Sequence, residues 1–143
     1  MNRVKLKREY QMKNKILFIG LICLIFLTAI NLLSQTFPRI TEDEKHSAIT
    51  SIREESEVIN ALIKQEDETI NLTLIVEFGT SKGRAKKLGK NFIRLVKTAS
   101  KDKDPGEEIG EGIYDYVIEV LYPNKKEVVA GAKARRARKV TWL

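Results

Sequence analysis

Lys87, Lys90, Arg94, Lys97 and Lys101 recur at spacings of 3, 4, 3 and 4, which at about 100° per residue gathers these cations on one face of a helix. Lys82, Arg84 and Lys86 widen that surface. No Asp or Glu occurs between Glu77 and Asp102, so the stretch itself lacks the acidic i,i+4 partners that a solubilising face usually interleaves. A face of this kind repels itself and attracts polyanions: lipid headgroups, an anionic wall polymer, an acidic protein or nucleic acid. It carries no interleaved aromatic residues for stacking on bases, which favours general attraction over nucleic-acid recognition. A Lys-rich stripe is also the ordinary exterior of a solvated helix, the plainer reading of the same residues.

A second basic cluster closes the chain, with Lys133, Arg135, Arg136, Arg138 and Lys139 ahead of Trp142. Guanidinium groups suit phosphate or carboxylate forks, and a Trp beside them suits a bilayer interface. The plainer alternative is a basic tail whose Trp closes the edge of a core. The expected anionic-partner residues are therefore Lys87, Lys90, Arg94, Lys97, Lys101, Arg135, Arg136 and Arg138.

Other candidates carry less chemistry. Tyr114, Tyr116 and Tyr122 alternate with Ile118 and Val120 on one face, the pattern of a core rather than a ligand platform. His46, the only histidine, lies one helical turn from Glu42 but lacks the further ligands of a metal site. Asp102, Asp104, Glu107, Glu108 and Glu111 have the acid content of a calcium loop, yet Glu107 and Ile113 stand where an EF-hand needs its central Gly and its bidentate acid. The only cysteine, Cys23, lies inside an apolar run, and the chain has no Gly-x-Ser-x-Gly and no phosphate-binding Gly-rich loop. Nucleophile and base pairings cannot be assembled from these residues. The expectation is a non-enzymatic protein with no catalytic residue, cofactor or metal.

The elements that position the basic face follow from periodicity. Thr41, Glu42, Asp43, Glu44 has the form of a capping box, and Ile49, Ile52, Ile59, Leu62 and Ile63 extend one apolar stripe to about Gln65, predicting a first helix over that whole range. Strict alternation from Ile70 to Phe78 predicts a strand. After a turn at Gly79 to Gly83, Ala85, Leu88, Phe92, Leu95, Val96 and Ala99 follow helical spacing to about Ser100. Lys101 to Gly112 has the composition of a mobile loop. Ile113 to Tyr122 and Glu127 to Ala132, joined at Pro123 to Lys126, read as a hairpin, and Arg138 to Leu143 as an optional last strand. The expected fold is α+β in two layers, in the order α-β-α-β-β(-β), with a largely antiparallel sheet and two helices on one face.

At 43% hydrophobic and 31% charged residues the composition is globular. Of the net charge of +7, Met1 to Lys15 holds +5, directly before the uncharged run from Ile16 to Leu33. Such a helix covers about 27 Å, close to the bilayer's hydrocarbon core. The run is too long for the apolar part of a cleavable signal and lacks a clean pair of small residues after it. The bulky Ile22 before Cys23 also argues against acylation there. The charge asymmetry keeps the tail inside and sends the remainder out. The expected organisation is a cytoplasmic tail over residues 1–15, an uncleaved single-pass anchor over 16–37, and an extracytoplasmic domain over 38–143, most simply on a bacterial cell membrane. Its expected role is a binding or assembly module. The alternative is a structural accessory subunit of a larger membrane complex, its cations serving solubility alone.

Overall fold

The computed structural model describes residues 37–102 and 109–143. The basic tail, the apolar run with Cys23, and Asp104, Glu107 and Glu108 lie outside the described residues, and the expected span up to Thr36 and half of the expected mobile loop lie there with them. Among the described residues, no helix is long and apolar enough to cross a membrane.

Helix α1, Glu42–Ile52, opens on the capping box: Thr41 N donates to Glu44 Oε2 at 2.8 Å and Glu44 N to Thr41 Oγ1 at 3.3 Å. Such caps stabilise a helix by about 0.5–2 kcal/mol. The acids Glu42, Asp43 and Glu44 fill the first turn, where the helix dipole favours negative charge.

The apolar stripe predicted a helix to Gln65, but α1 ends at Ile52, and Val58–Glu66 is a strand, β1. The physical cause is the neighbouring strand β2, Thr69–Val76. Its Ile70, Leu72, Leu74 and Val76 are at most 1% exposed. A strand this deeply buried must have its backbone paired along both edges, and β1 supplies one of them through an antiparallel hairpin that sets Ala61 opposite Leu74 and Ile63 opposite Leu72. The hairpin turns at Asp67, whose φ of 50° Asp tolerates better than most residues. Ile59 and Leu62, which the helical reading would bury, stand 47% and 54% exposed.

Helix α2, Lys82–Ala99, follows, then β3 (Asp115–Leu121), β4 (Glu127–Lys133) and a two-residue β5 (Thr141–Trp142). The result is a small α+β fold: one five-stranded sheet in the order β1-β2-β3-β4-β5, antiparallel except between β2 and β3, and two helices. Parallel neighbours cannot be joined by a tight turn, and α2 makes that crossover. Alternate residues of β2 and β3 are buried, and these join Ala48, Ile52, Leu88, Phe92 and Val96 of the helices in one core. The opposite face of the sheet leaves Leu62, Val117 and Glu119 exposed.

The connectivity gives the domain two ends. The strands β1 and β4 finish, β2 and β3 start, and α2 finishes at the end where the chain enters. There Tyr114 Oη donates to Pro38 O at 2.8 Å, Gln65 Nε2 donates to the same carbonyl at 3.0 Å, and the Arg135 guanidinium lies 5.8 Å from the Phe37 ring centre.

Candidate functional site

Ser81 caps α2 by accepting a hydrogen bond from Arg84 N at 3.2 Å. Ala85, Leu88, Gly89, Phe92, Ile93 and Val96 are buried against the sheet. Opposite them, Lys87 and Lys90 are exposed, as is Lys101 beyond the helix end, and none of the three makes an ion pair among the described residues. The first turn carries Lys82 and Arg84 and no acid, so positive charge sits at the positive end of the helix dipole, a placement that costs stability.

The remaining predicted cations of α2 behave differently. Arg94 is half-buried and already engaged within the chain. Lys97 is fully buried, not a surface contact. Its Nζ donates to Asp102 Oδ2 at 3.2 Å and to Glu111 O at 2.9 Å. The Asp102 carboxylate also accepts from Tyr116 Oη at 3.0 Å and from Ile113 N at 2.7 Å. Burial, with the Asp102 charge after it, drives the Tyr116 hydroxyl far above the usual phenol range. Lys97 therefore leaves the anionic-partner set. The cause is tertiary: Asp102 and residues 109–112, from the loop expected to be mobile, fold over that flank of the helix. Gly112 N donates to Arg135 O at 2.8 Å.

Arg84 also has partners, though none near it in sequence. It holds Glu57 through Nε and Nη2 at 2.8 and 2.9 Å, and Glu55 through Nη2 at 2.9 Å, while Asn91 donates to Glu55 at 3.0 Å. The Arg84 hydrogen bonds, aided by a backbone bond, pull the Glu57 carboxyl down to about 2. The face does not simply repel itself, because the fold brings acids to α2 from the turn before β1.

The final cluster divides as well. Lys133 is 1% exposed, hydrogen-bonded to Ala134 O at 3.2 Å, with its ammonium 5.7 Å from the Tyr116 ring centre. Burial, and then repulsion from Lys97, lowers its pKa. Arg135 is half-buried and faces Glu68 at 3.6 Å. Arg136 and Arg138 are exposed and make no ion pair among the described residues. Trp142 closes the edge of the core: β5 pairs it with Gly131, its ring crosses Gly89 of α2, and Lys86 covers it at 5.9 Å. A Cβ at Gly131 would come within 2.6 Å of the indole and one at Gly89 within 3.0 Å.

Sequence reasoning missed Lys133, although its alternation with Val129 and Gly131 along β4 marks the core side. It also missed the Arg84 partners, for which no local signal exists. His46 is exposed, and among the described residues no group of three or more His, Cys, Asp or Glu side chains is placed to hold a metal ion. No family model matches the chain, and comparison with curated proteins and with solved structures gives no match.

Proposed function

We propose that this chain is a single-pass membrane protein whose tail lies inside the cell and whose α+β domain lies outside it, and that the domain is a non-catalytic module binding an anionic partner. Lys87 and Lys90 carry the contact along α2, with Lys101, Arg136 and Arg138 beyond the helix. The observation that carries this reading is the division of charge on one helix. Arg84 and Lys97 are matched by acids, while Lys87 and Lys90 stand exposed without them among the described residues. A helix that gathers acids for some cations and leaves a solvent ridge of others has a positive surface that its own stability does not require.

One observation favours the second reading, a structural accessory subunit. Strand β1 is a nine-residue edge strand bearing exposed Ile59 and Leu62, and such an edge offers unpaired backbone groups to another protein's strand.

Binding to an anionic polymer and to acidic vesicles, measured across salt for the domain from Phe37 onward, separates the two. All of the described core lies within that stretch. Under the first reading, changing Lys87 and Lys90 together to Glu weakens binding at least tenfold, and wild-type affinity falls steeply with salt. A variant that binds like wild type, or binding indifferent to salt, refutes that reading and leaves the subunit.

A further inference from the structure

We infer that Lys133 sits in the folded domain as an uncharged amine, and that its protonation loosens the clasp of residues 111–113 over the end of α2. Lys133 plays no part in the proposed binding surface, so this role is independent of the partner.

A count of buried charges is the starting point. Among the described residues three ionisable side chains of Lys or Asp are buried: Lys97, Asp102 and Lys133, at 0%, 2% and 1% exposure. Lys133 lies opposite Tyr116 in the β3–β4 register, with its Nζ 5.7 Å from the ring centre. One carboxylate therefore serves two amines, and its oxygens are already taken. Asp102 Oδ2 accepts from Lys97 at 3.2 Å and from Tyr116 at 3.0 Å, and Oδ1 accepts from Ile113 N at 2.7 Å. Lys133 is left with one hydrogen bond, to the carbonyl of its own neighbour Ala134 at 3.2 Å, although an ammonium has three donors to satisfy.

The other groups around Lys133 do not supply the missing counter-ion. On β3, Asp115 Oδ1 accepts from Arg135 N at 2.6 Å. Glu111, ahead of β3, is exposed to solvent. After β4, the Arg135 guanidinium faces Glu68 at 3.6 Å. Tyr114 meets the Tyr116 ring edge-on at 6.4 Å, and burial keeps its hydroxyl above the usual phenol range and so neutral. Burial and repulsion from Lys97 outweigh the pull of Asp102, Asp115 and Glu111 on the Lys133 proton. The Tyr116 ring attracts a cation, but by less than it costs to take an ammonium out of water. A lysine in such a place gives up its proton.

With Lys133 neutral, the Lys97 and Asp102 charges balance. A proton on Lys133 sets a second positive charge beside Lys97 and draws water toward both. The bonds placed to yield are those that tie the covering segment to the cluster: Lys97 Nζ to Glu111 O at 2.9 Å, Ile113 N to Asp102 Oδ1, and Gly112 N to Arg135 O at 2.8 Å, two residues beyond Lys133. The change reaches the start of the domain as well, because Tyr114 holds Pro38 O and Arg135 lies against the Phe37 ring.

The test uses the full chain in neutral detergent micelles, with its lysines isotope-labelled at Cε and followed by NMR from about pH 6 to about pH 11. Through-bond connectivities assign Lys133, and its signal is absent from Lys133→Met. Lys133 should lose its proton at lower pH than the exposed Lys87 and Lys90. Below that midpoint amide exchange at Gly112 and Ile113, corrected for its intrinsic pH dependence, should quicken at least about threefold in wild type and stay level in Lys133→Met. Because the folded value is depressed, the unfolding constant should rise as pH falls from the ordinary 10.5 toward it, and level off below. Lys133→Met removes that rise, while Tyr114 and Tyr116, present in both proteins, cancel from the comparison. A Lys133 that titrates with the exposed lysines or above them overturns the inference. So does an early-titrating Lys133 with no step in Gly112 and Ile113 exchange at its midpoint, since the amine would then be buried without acting on the clasp. Both readings come from wild type alone and stand even where Lys133→Met fails to fold.

Discussion

Lys90 and Lys97 stand seven residues apart on α2, so they project within about 20° of each other around its axis. Lys90 is exposed, and Lys97 is sealed in an ion pair with Asp102 at 3.2 Å. Their chemistry and azimuth match. What differs is the cover: the end of the helix near Lys97 is overlaid by Asp102, Glu111 and Gly112, held in turn by Tyr116 and Arg135, while Lys90 is left exposed by the described residues. Periodicity assigns a residue to a side of its helix, and burial depends on what the rest of the chain lays over that side.

Breaking the buried pair is the most damaging way to probe this contrast. Lys97→Met leaves the Asp102 charge in the core without its cation, and urea unfolding should report a loss of about 3–5 kcal/mol. Lys90→Met removes a solvated charge and should stay within about 0.5 kcal/mol. Equal costs at the two positions would erase the distinction between structural and surface cations on α2.

A smaller effect is expected from crowding the same pair. A Cβ on Gly112 would stand on top of Asp102 Oδ2 and Lys97 Nζ, so Gly112→Ala should cost about 1–3 kcal/mol through overpacking. The readout is again the unfolding midpoint. A neutral result would mean that residues 109–112 yield easily and do not clamp the ion pair.

The mildest probe addresses the cation at the other end of the helix, Arg84. Its hydrogen bonds hold the folded Glu57 carboxyl at about 2, below its ordinary 4.5. A depressed carboxyl contributes stability above its unfolded value, and this is lost as pH falls from about 4.5 through about 2. Melting temperature should drop across that window in wild type and respond less in Glu57→Gln. Parallel pH profiles for the two proteins would show that the Arg84 pair is no more than a solvated contact.

Several elements were legible because their signals are local. The capping box starting α1, the apolar stripe of α2 and the turn at Pro123 to Lys126 each lie within a few residues and appear where they were expected, while the alternation read from Ile70 to Phe78 forms a strand that stops at Val76 and leaves Phe78 exposed. The boundary between α1 and β1 was not legible. Ile59, Leu62 and Ile63 fit the stripe begun by Ile49 and Ile52, and only the pairing demand of buried β2 draws that segment into the sheet. The basic ridge was partly legible: Lys87 and Lys90 are exposed on α2, Lys101 is exposed but lies past the helix end at a φ of 54°, Arg94 is engaged, and Lys97 is core.

The sequence alone determined the cationic character of α2, the position of its apolar face and the strand propensity of the segments around it, because these depend on side-chain type and on a repeat of two or 3.6 residues. Only the tertiary structure decided which cations are neutralised. Arg84 meets Glu55 and Glu57 from a turn that precedes it by a full hairpin, whereas Asp102 reaches Lys97 through the local turn that ends the helix and is fixed there by Tyr116 and Ile113 from across the loop. A buried charge must find its opposite within a few ångströms; for Arg84 that proximity comes from packing between segments 27 and 29 residues apart, and for Lys97 the opposite charge is local while the burial comes from Glu111, Gly112 and Tyr116.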